Sequence, residues 1–183
     1  PMSNVLEKLA TIVIKDEPSK EEENQDAVLQ LLDYRFLDNA GVAIAQSHKV
    51  AVEMAKMSRD VVLEAVSLIG NYNEEKAAHV RLIEDKMDKY EDALSAYLLK
   101  LSGRDVSKDD SHILSTLLHS VGDIERISDL SVDILLGVEQ MHKKEQEFSK
   151  KATEELNVYG RALKDILNLT VDALENNDRE KAI

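Results

Sequence analysis

The stretch VGDIERISDLSVDIL, residues 121–135, combines an apolar helical stripe with four carboxylates. Val121, Ile124, Ser128 and Leu135 recur at intervals of three, four or seven residues, which is the spacing of a helix face that packs on a core. Charged side chains occupy a segment that is otherwise typical of a protein interior. The stretch therefore predicts a long amphipathic helix and raises the question of what its acids do.

The same periodicity continues on both sides of this stretch. It predicts four long helices, at about 40–70, 73–102, 108–145 and 150–176. At 1.5 Å per residue these helices span roughly 40 to 57 Å. Because the connections between them are short, neighbouring helices must run antiparallel. The sequence predicts an all-α protein, an elongated antiparallel up-down bundle of long helices.

The composition agrees with an all-α fold. Among 183 residues there are 6 glycines, 2 prolines and only 4% aromatic residues, which leaves few turn residues for β-hairpins. With 43% hydrophobic residues the chain is large enough for one domain with a core. Cysteine is absent. Any metal ion must therefore bind through oxygen or imidazole ligands.

The charge of the chain excludes a general affinity for nucleic acid. The formal net charge is -13, which repels a phosphate backbone. The lysine pair at 143–144 is followed closely by Glu145 and Glu147, so no basic patch forms there. No apolar run approaches the roughly 20 residues that are needed to cross a bilayer. We expect no nucleic-acid partner.

The N-terminal region differs from the bundle. Residues 1–14 contain a short amphipathic segment with apolar residues at helical spacing, namely Val5, Leu6, Leu9, Ile12 and Val13. Residues 15–26 are acidic and contain Pro18, which is typical of a solvated linker. The bundle is expected to occupy residues 27–183. The start at Pro1-Met2-Ser3 suggests a part of a longer protein.

The acids of the third helix lie almost in one row. Glu125, Asp129 and Asp133 are spaced four residues apart, and the second helix offers Glu84 and Asp88 at the same spacing. If the two helices pack antiparallel, the rows converge on a hard cation, for which carboxylates are suitable ligands. The alternative is a solvated flank on which the acids pair with nearby lysine or arginine side chains. Spacing alone leaves both readings open.

No catalytic motif stands out. A phosphate-binding glycine loop, a nucleophile elbow and a metalloprotease helix are all absent from the sequence. Among the five histidines only His142 follows a glutamate, Glu139, by three residues, so the repeated Glu-x-x-His pattern of di-iron carboxylate bundles is absent from the sequence. The histidines are interpreted as surface or boundary residues. We do not expect an enzyme.

The segment GDIERISDLSVDI resembles the signature of PhoU proteins, Asp-Leu-Glu-Arg-Ile-Gly-Asp-His-Ala-x-Asn-Ile. The positions that match are Asp123, Glu125, Arg126, Ile127, Asp129 and Ile134. Ser128 replaces the glycine, Leu130 the histidine and Asp133 the asparagine. Leu130 removes a nitrogen ligand, so the metal chemistry of the family carries over imperfectly. Glu84 and Asp88 look like the family's other Glu-x-x-x-Asp element.

A longer resemblance covers nearly the whole chain. LEKLATIVIKDEPSKEEE, followed by RFLDNAGVAIAQSHKVAVEMAKM, is similar to the segment that joins the membrane part of bacterial sodium/phosphate cotransporter-like proteins to their C-terminal PhoU-like domain. This resemblance implies a regulatory domain on the cytoplasmic side of the inner (plasma) membrane, with the membrane transport domain of the same polypeptide as its partner.

The resemblance also implies a set of metal ligands. Some PhoU-like proteins bind metal ions through Glu/Asp-x-x-x-Asp motifs and others carry none. By analogy the candidate ligands are Glu84, Asp88, Glu125 and Asp129, with Asp123 and Asp133 as further candidates. The implied cofactor is a divalent or trivalent metal: iron, zinc, manganese or magnesium. The competing hypothesis is a metal-free structural bundle for dimerisation or partner docking, in which a homodimer forms through residues 28–37 or the last helix.

Overall fold

The computed structural model describes residues 27–176. Within that range the chain forms a short 3-10 helix, Tyr34–Asp38, followed by four α-helices: α1 Ala40–Ser67, α2 Glu74–Ser102, α3 Lys108–Lys143 and α4 Lys150–Glu175. Residues 27–176 contain no β-strand, and the predicted all-α class is confirmed. The predicted segments 1–14 and 15–26 lie outside the described residues. None of the described helices is long and apolar enough to span a membrane.

Each of the four helices begins at a polar side chain that caps its first turn. The cap residue accepts a hydrogen bond from the backbone N–H three residues later in every case, at Asn39, Asn73, Ser107 and Ser149. These caps satisfy N–H groups that have no partner inside the helix. The Ser107 hydroxyl also donates to the Asp110 carboxylate at 2.8 Å. The sequence had predicted the approximate start of each of these four helices.

Helix α1 lies at the centre of the bundle. It packs against α2, α3 and α4, and α2 also packs against α3. The Glu64 carboxylate near the end of α1 contacts His79 near the start of α2, and Arg81 pairs with Glu139 near the end of α3 at 2.9 Å. Consecutive helices therefore run antiparallel, as predicted. Within residues 27–176, α4 packs mainly against α1.

The buried face of α1 is wider than a single stripe. Its position between three helices buries twelve residues: Ala43, Ile44, Ser47, Val50, Ala51, Val52, Met54, Ala55, Ser58, Val61, Val62 and Ala65. The helical spacing of the apolar residues between 40 and 70 predicts Ala45 on the core-facing stripe of α1, and this prediction is wrong because Ala45 is exposed. The single-stripe interpretation assumed partners on one side only.

Helices α1 and α3 meet across small side chains. Ser47 and Ser58 on α1 and Ser128 and Ser131 on α3 are buried. The Ser58 hydroxyl donates to the Ile124 carbonyl oxygen at 3.0 Å, whereas the hydroxyls of the other three serines have no hydrogen-bond partner among the described residues. Small residues let two helix backbones approach closely. The close packing of α1 and α3 therefore depends on the small size of the Ser128 side chain more than on its hydroxyl group.

Helix α4 is attached to α1 by a small apolar contact and a polar one. Leu167, Val171 and Ala173 are buried, and near the end of the helix Lys56 reaches Glu175 at 2.9 Å. The helical spacing of this segment predicts either Ile166 or Leu167 as a core residue. Leu167 takes that role, whereas Ile166 is exposed. The sequence also predicts Tyr34 and Phe36 as core or boundary residues, but both are exposed.

We predict opposite responses to two substitutions at Ser128. Ser128→Ala removes a buried hydroxyl that has no partner, so the free energy of unfolding should stay unchanged or rise by about 1 kcal/mol. Ser128→Leu should lower it by about 1 to 3 kcal/mol, because the larger side chain forces α1 and α3 apart. Urea denaturation measures both values. Ser115→Leu, at an exposed position of α3, is the control, and equal effects of the two leucine substitutions would contradict the close packing.

Candidate metal site between α2 and α3

Three carboxylates converge where α2 and α3 run side by side. Glu84 and Asp88 lie one turn apart on α2, and Asp129 faces them from α3. One carboxylate oxygen of each residue lies within 4.8 Å of the other two. Glu84 is half-buried and Asp88 is exposed. The acids therefore meet along a partly open seam at the side of the bundle.

The local sequence explains why the acids face this seam. Ile83 and Met87 precede Glu84 and Asp88 by one residue each, and Met87 is fully buried in the core. One residue corresponds to about 100° of rotation around a helix. The two acids therefore lie at the edge of the apolar face of α2. Asp129 follows the buried Ser128 in the same way on α3.

Glu125 extends the group by one turn of α3. A cavity of about 310 Å³ is lined by Asp88, Glu91, Asp92 and Glu125. Burial raises the pKa of Glu125, and repulsion from Asp129, a hydrogen bond with the Asp129 side chain and the charges of Asp88 and Glu91 raise it further.

Glu84 shows the same electrostatic effect from the α2 side. Burial is the main cause that raises its pKa, and the charges of Asp88, Asp85 and Asp129 add to it. Among the described residues, the charged groups that shift the pKa values of Glu84 and Glu125 are all carboxylates. The seam is thus a region of negative potential, and a bound cation would reduce the repulsion among its carboxylates.

The six residues singled out from the sequence do not all meet. Glu84, Asp88 and Asp129 form the cluster, and Glu125 is coupled to it. Asp123 and Asp133 are exposed on α3 and are not members of the cluster. Sequence reasoning missed Glu91 and Asp92 in the cavity wall. Glu91 lies three residues after Asp88 and seven after Glu84, and this spacing already placed it on the same helix face.

The donor set is suited to a hard cation. Every candidate ligand is a carboxylate, which favours magnesium, calcium or manganese and is compatible with iron. Leu130, which stands where the PhoU signature has histidine, is exposed and contributes no nitrogen. The residues present therefore fit an ion with an all-oxygen shell, completed by water on the exposed side. Zinc fits less well, because protein zinc sites usually include nitrogen or sulfur ligands.

The fold and the site together define a class: an all-α bundle domain with Glu/Asp-x-x-x-Asp elements on two adjacent helices. Comparison with protein families gives one match. Residues 51–137 match the family model described as PhoU domain, which supports a PhoU-like domain in this part of the chain. The match covers most of α1, all of α2 and most of α3, including the carboxylate seam. Comparisons with curated proteins and with solved structures gave no significant match.

We predict that the carboxylate seam destabilises the metal-free protein at neutral pH. Glu84→Gln together with Glu125→Gln removes two like-charge pairs at i,i+4 spacing, each of which costs about 0.2 to 0.5 kcal/mol. The double variant should therefore unfold at a higher urea concentration than the unsubstituted protein at pH 7 in a chelator. Asp123→Asn with Asp133→Asn, which lie outside the cluster, is the control and should show a smaller change.

The pH dependence of stability follows from the direction of the two pKa shifts. Both glutamates have a folded-state pKa above the ordinary value of 4.5, so the folded state binds protons more tightly than the unfolded state. Their destabilising effect is complete at neutral pH and is relieved as the pH falls through the interval just above 4.5. The advantage of the double variant should shrink over that interval. A constant advantage down to pH 4 would contradict the assignment.

Proposed function

We propose that this chain is the regulatory domain of a sodium-dependent phosphate transporter-type protein, on the cytoplasmic side of the inner membrane, and that it binds a metal ion at the seam between α2 and α3. The role is non-enzymatic. The observation that carries the proposal is the convergence of Glu84, Asp88 and Asp129 inside the region that matches the PhoU domain.

The transporter link is supported by the order of the sequence elements. The PhoU-like region follows an acidic linker at 15–26 and an amphipathic segment at 1–14, an arrangement similar to that of sodium/phosphate cotransporter-like proteins. The partner is then the membrane transport domain of the same polypeptide. A cation that bridges α2 and α3 stabilises one arrangement of these helices, and a ligand shifts an equilibrium only toward the state that it binds better.

Metal binding is tested by thermal unfolding with and without added ions. For an ion at one hundred times its dissociation constant we expect a stabilisation of about 2.7 kcal/mol, or about 5 to 11 °C in the melting temperature. Glu84→Gln with Asp129→Asn should abolish the increase, because it removes charged ligands from both helices. Asp123→Asn with Asp133→Asn should retain it. If manganese, iron, magnesium and zinc all leave the melting temperature unchanged, the metal proposal is wrong.

The transporter link needs a separate experiment. Cells that lack other phosphate uptake systems and express the complete reading frame should accumulate phosphate only when sodium is present. Glu84→Gln with Asp129→Asn in that protein should alter the uptake rate, whereas Asp123→Asn with Asp133→Asn should not. A reading frame with no apolar membrane spans upstream of Pro1, or uptake that does not require sodium, would refute the transporter link without bearing on metal binding.

A second candidate function is a metal-free bundle for dimerisation or partner docking. The observation that favours it is a set of exposed apolar side chains on α4, including Tyr159, Ile166 and Leu169. Sedimentation analysis and elemental analysis of the purified protein discriminate the two candidates. A dimer without metal that binds a partner tightly would support the docking function, whereas a monomer with bound metal would support the regulatory metal site.

A further inference from the structure

Helix α4 carries more apolar surface than α1 covers. One part of its apolar face packs on α1 through Leu167 and Val171. A second row, Tyr159, Ala162, Ile166, Leu169 and Ala173, is spaced three or four residues apart along the neighbouring face. The exposed fractions of Tyr159, Ile166 and Leu169 are 73%, 60% and 55%. We call this row the outer stripe of α4.

The outer stripe is covered at its C-terminal end only. Ala173 is buried, with 9% exposure, unlike the rest of the row. The first described residues of the chain pack into the core cluster at this end: Val28, Leu29 and Leu31 join a cluster that includes Val171 and Leu174. Leu31 also lines a cavity together with His48 and Glu175. The chain therefore enters the described bundle beside the covered end of the outer stripe.

We infer that residues 4–14 of the same chain dock along the outer stripe of α4. Their apolar residues, Val5, Leu6, Leu9, Ile12 and Val13, recur at helical spacing. Eleven residues in a helix span about 16 Å, and the stripe from Tyr159 to Leu169 spans about 15 Å. The twelve residues 15–26 reach at most about 40 Å, which is more than the stripe requires.

Charge favours this segment over a second copy of the chain. Residues 4–14 contain one acidic and one basic side chain, Glu7 and Lys8, and so add no net charge to the bundle. A second chain brings a formal charge of -13 toward a partner of the same charge, and this repulsion opposes association. The linker also keeps the segment at a high effective concentration, of millimolar order for a short flexible connection. The inference does not depend on whether the seam binds metal.

Cross-linking in the full chain tests the inference directly, because the chain has no cysteine of its own. The variant Leu9→Cys with Ile166→Cys, treated with a short bismaleimide, should give an intramolecular link that mass spectrometry identifies. The control is Leu9→Cys with Lys164→Cys. Lys164 is exposed at nearly the same height on α4, on the opposite side from the outer stripe, and should link at least about tenfold more slowly. Equal rates, or links only between two chains, would overturn the inference, the latter in favour of a second copy.

Hydrogen exchange gives an independent measurement. Backbone amides of residues 4–14 in the full chain should exchange at least about tenfold more slowly than in a peptide of residues 1–26, where tenfold corresponds to about 1.4 kcal/mol. Ile166→Asp should remove this protection and leave the helix content unchanged, since Ile166 is exposed. Asn157→Asp, with the same charge change on the polar face of α4, should keep the protection. Equal exchange in the chain and the peptide would contradict docking.

Discussion

The burial of α1 on three sides is the constraint on which the rest of the structure depends. Only a helix with small residues at many positions fits between three neighbours, and α1 supplies Ala43, Ala51, Ala55 and Ala65 together with two buried serines. This packing places α3 parallel to α1 and α2 antiparallel to both. The seam between α2 and α3 is a consequence of that arrangement, because it fixes which faces of the two helices are adjacent.

Repulsion among the carboxylates of the seam destabilises the folded state, and the packing of the apolar core offsets this effect. Met87 beside the acids of α2 and Ser128 beside those of α3 are buried, so the acids are held at the edge of the core and cannot move far apart. Burial raises the pKa values of Glu84 and Glu125, and repulsion from the neighbouring carboxylates raises them further. A cation bound at the proposed site would relieve a repulsion that folding has already imposed.

Most of the fold could be predicted from the sequence, because the start of a helix depends on interactions between residues that are close in the chain. Helix starts at Asn73 and Ser107 depend on a side chain and the backbone three residues later, which the sequence contains. The antiparallel order follows from short connections. The wide buried face of α1 and the exposure of Ile166 on α4 depend on how many helices surround α1 and α4. The apolar pattern of a single helix does not contain that information. For the same reason the sequence overestimated the burial of Tyr34.

The geometry of the candidate site was predictable in part. The i,i+4 spacing identified Glu84, Asp88, Glu125 and Asp129, but the register between α2 and α3 decides which acids meet, and that register comes from tertiary packing. Asp123 and Asp133 share the helix of Asp129 yet lie outside the cluster. The proposed function requires that a cation bind between α2 and α3. Electron paramagnetic resonance of Mn²⁺ titrated into metal-free protein tests this most directly. The account predicts saturable loss of the free Mn²⁺ signal that disappears in Glu84→Gln with Asp129→Asn; an identical signal loss in that variant, or none in either protein, would contradict it.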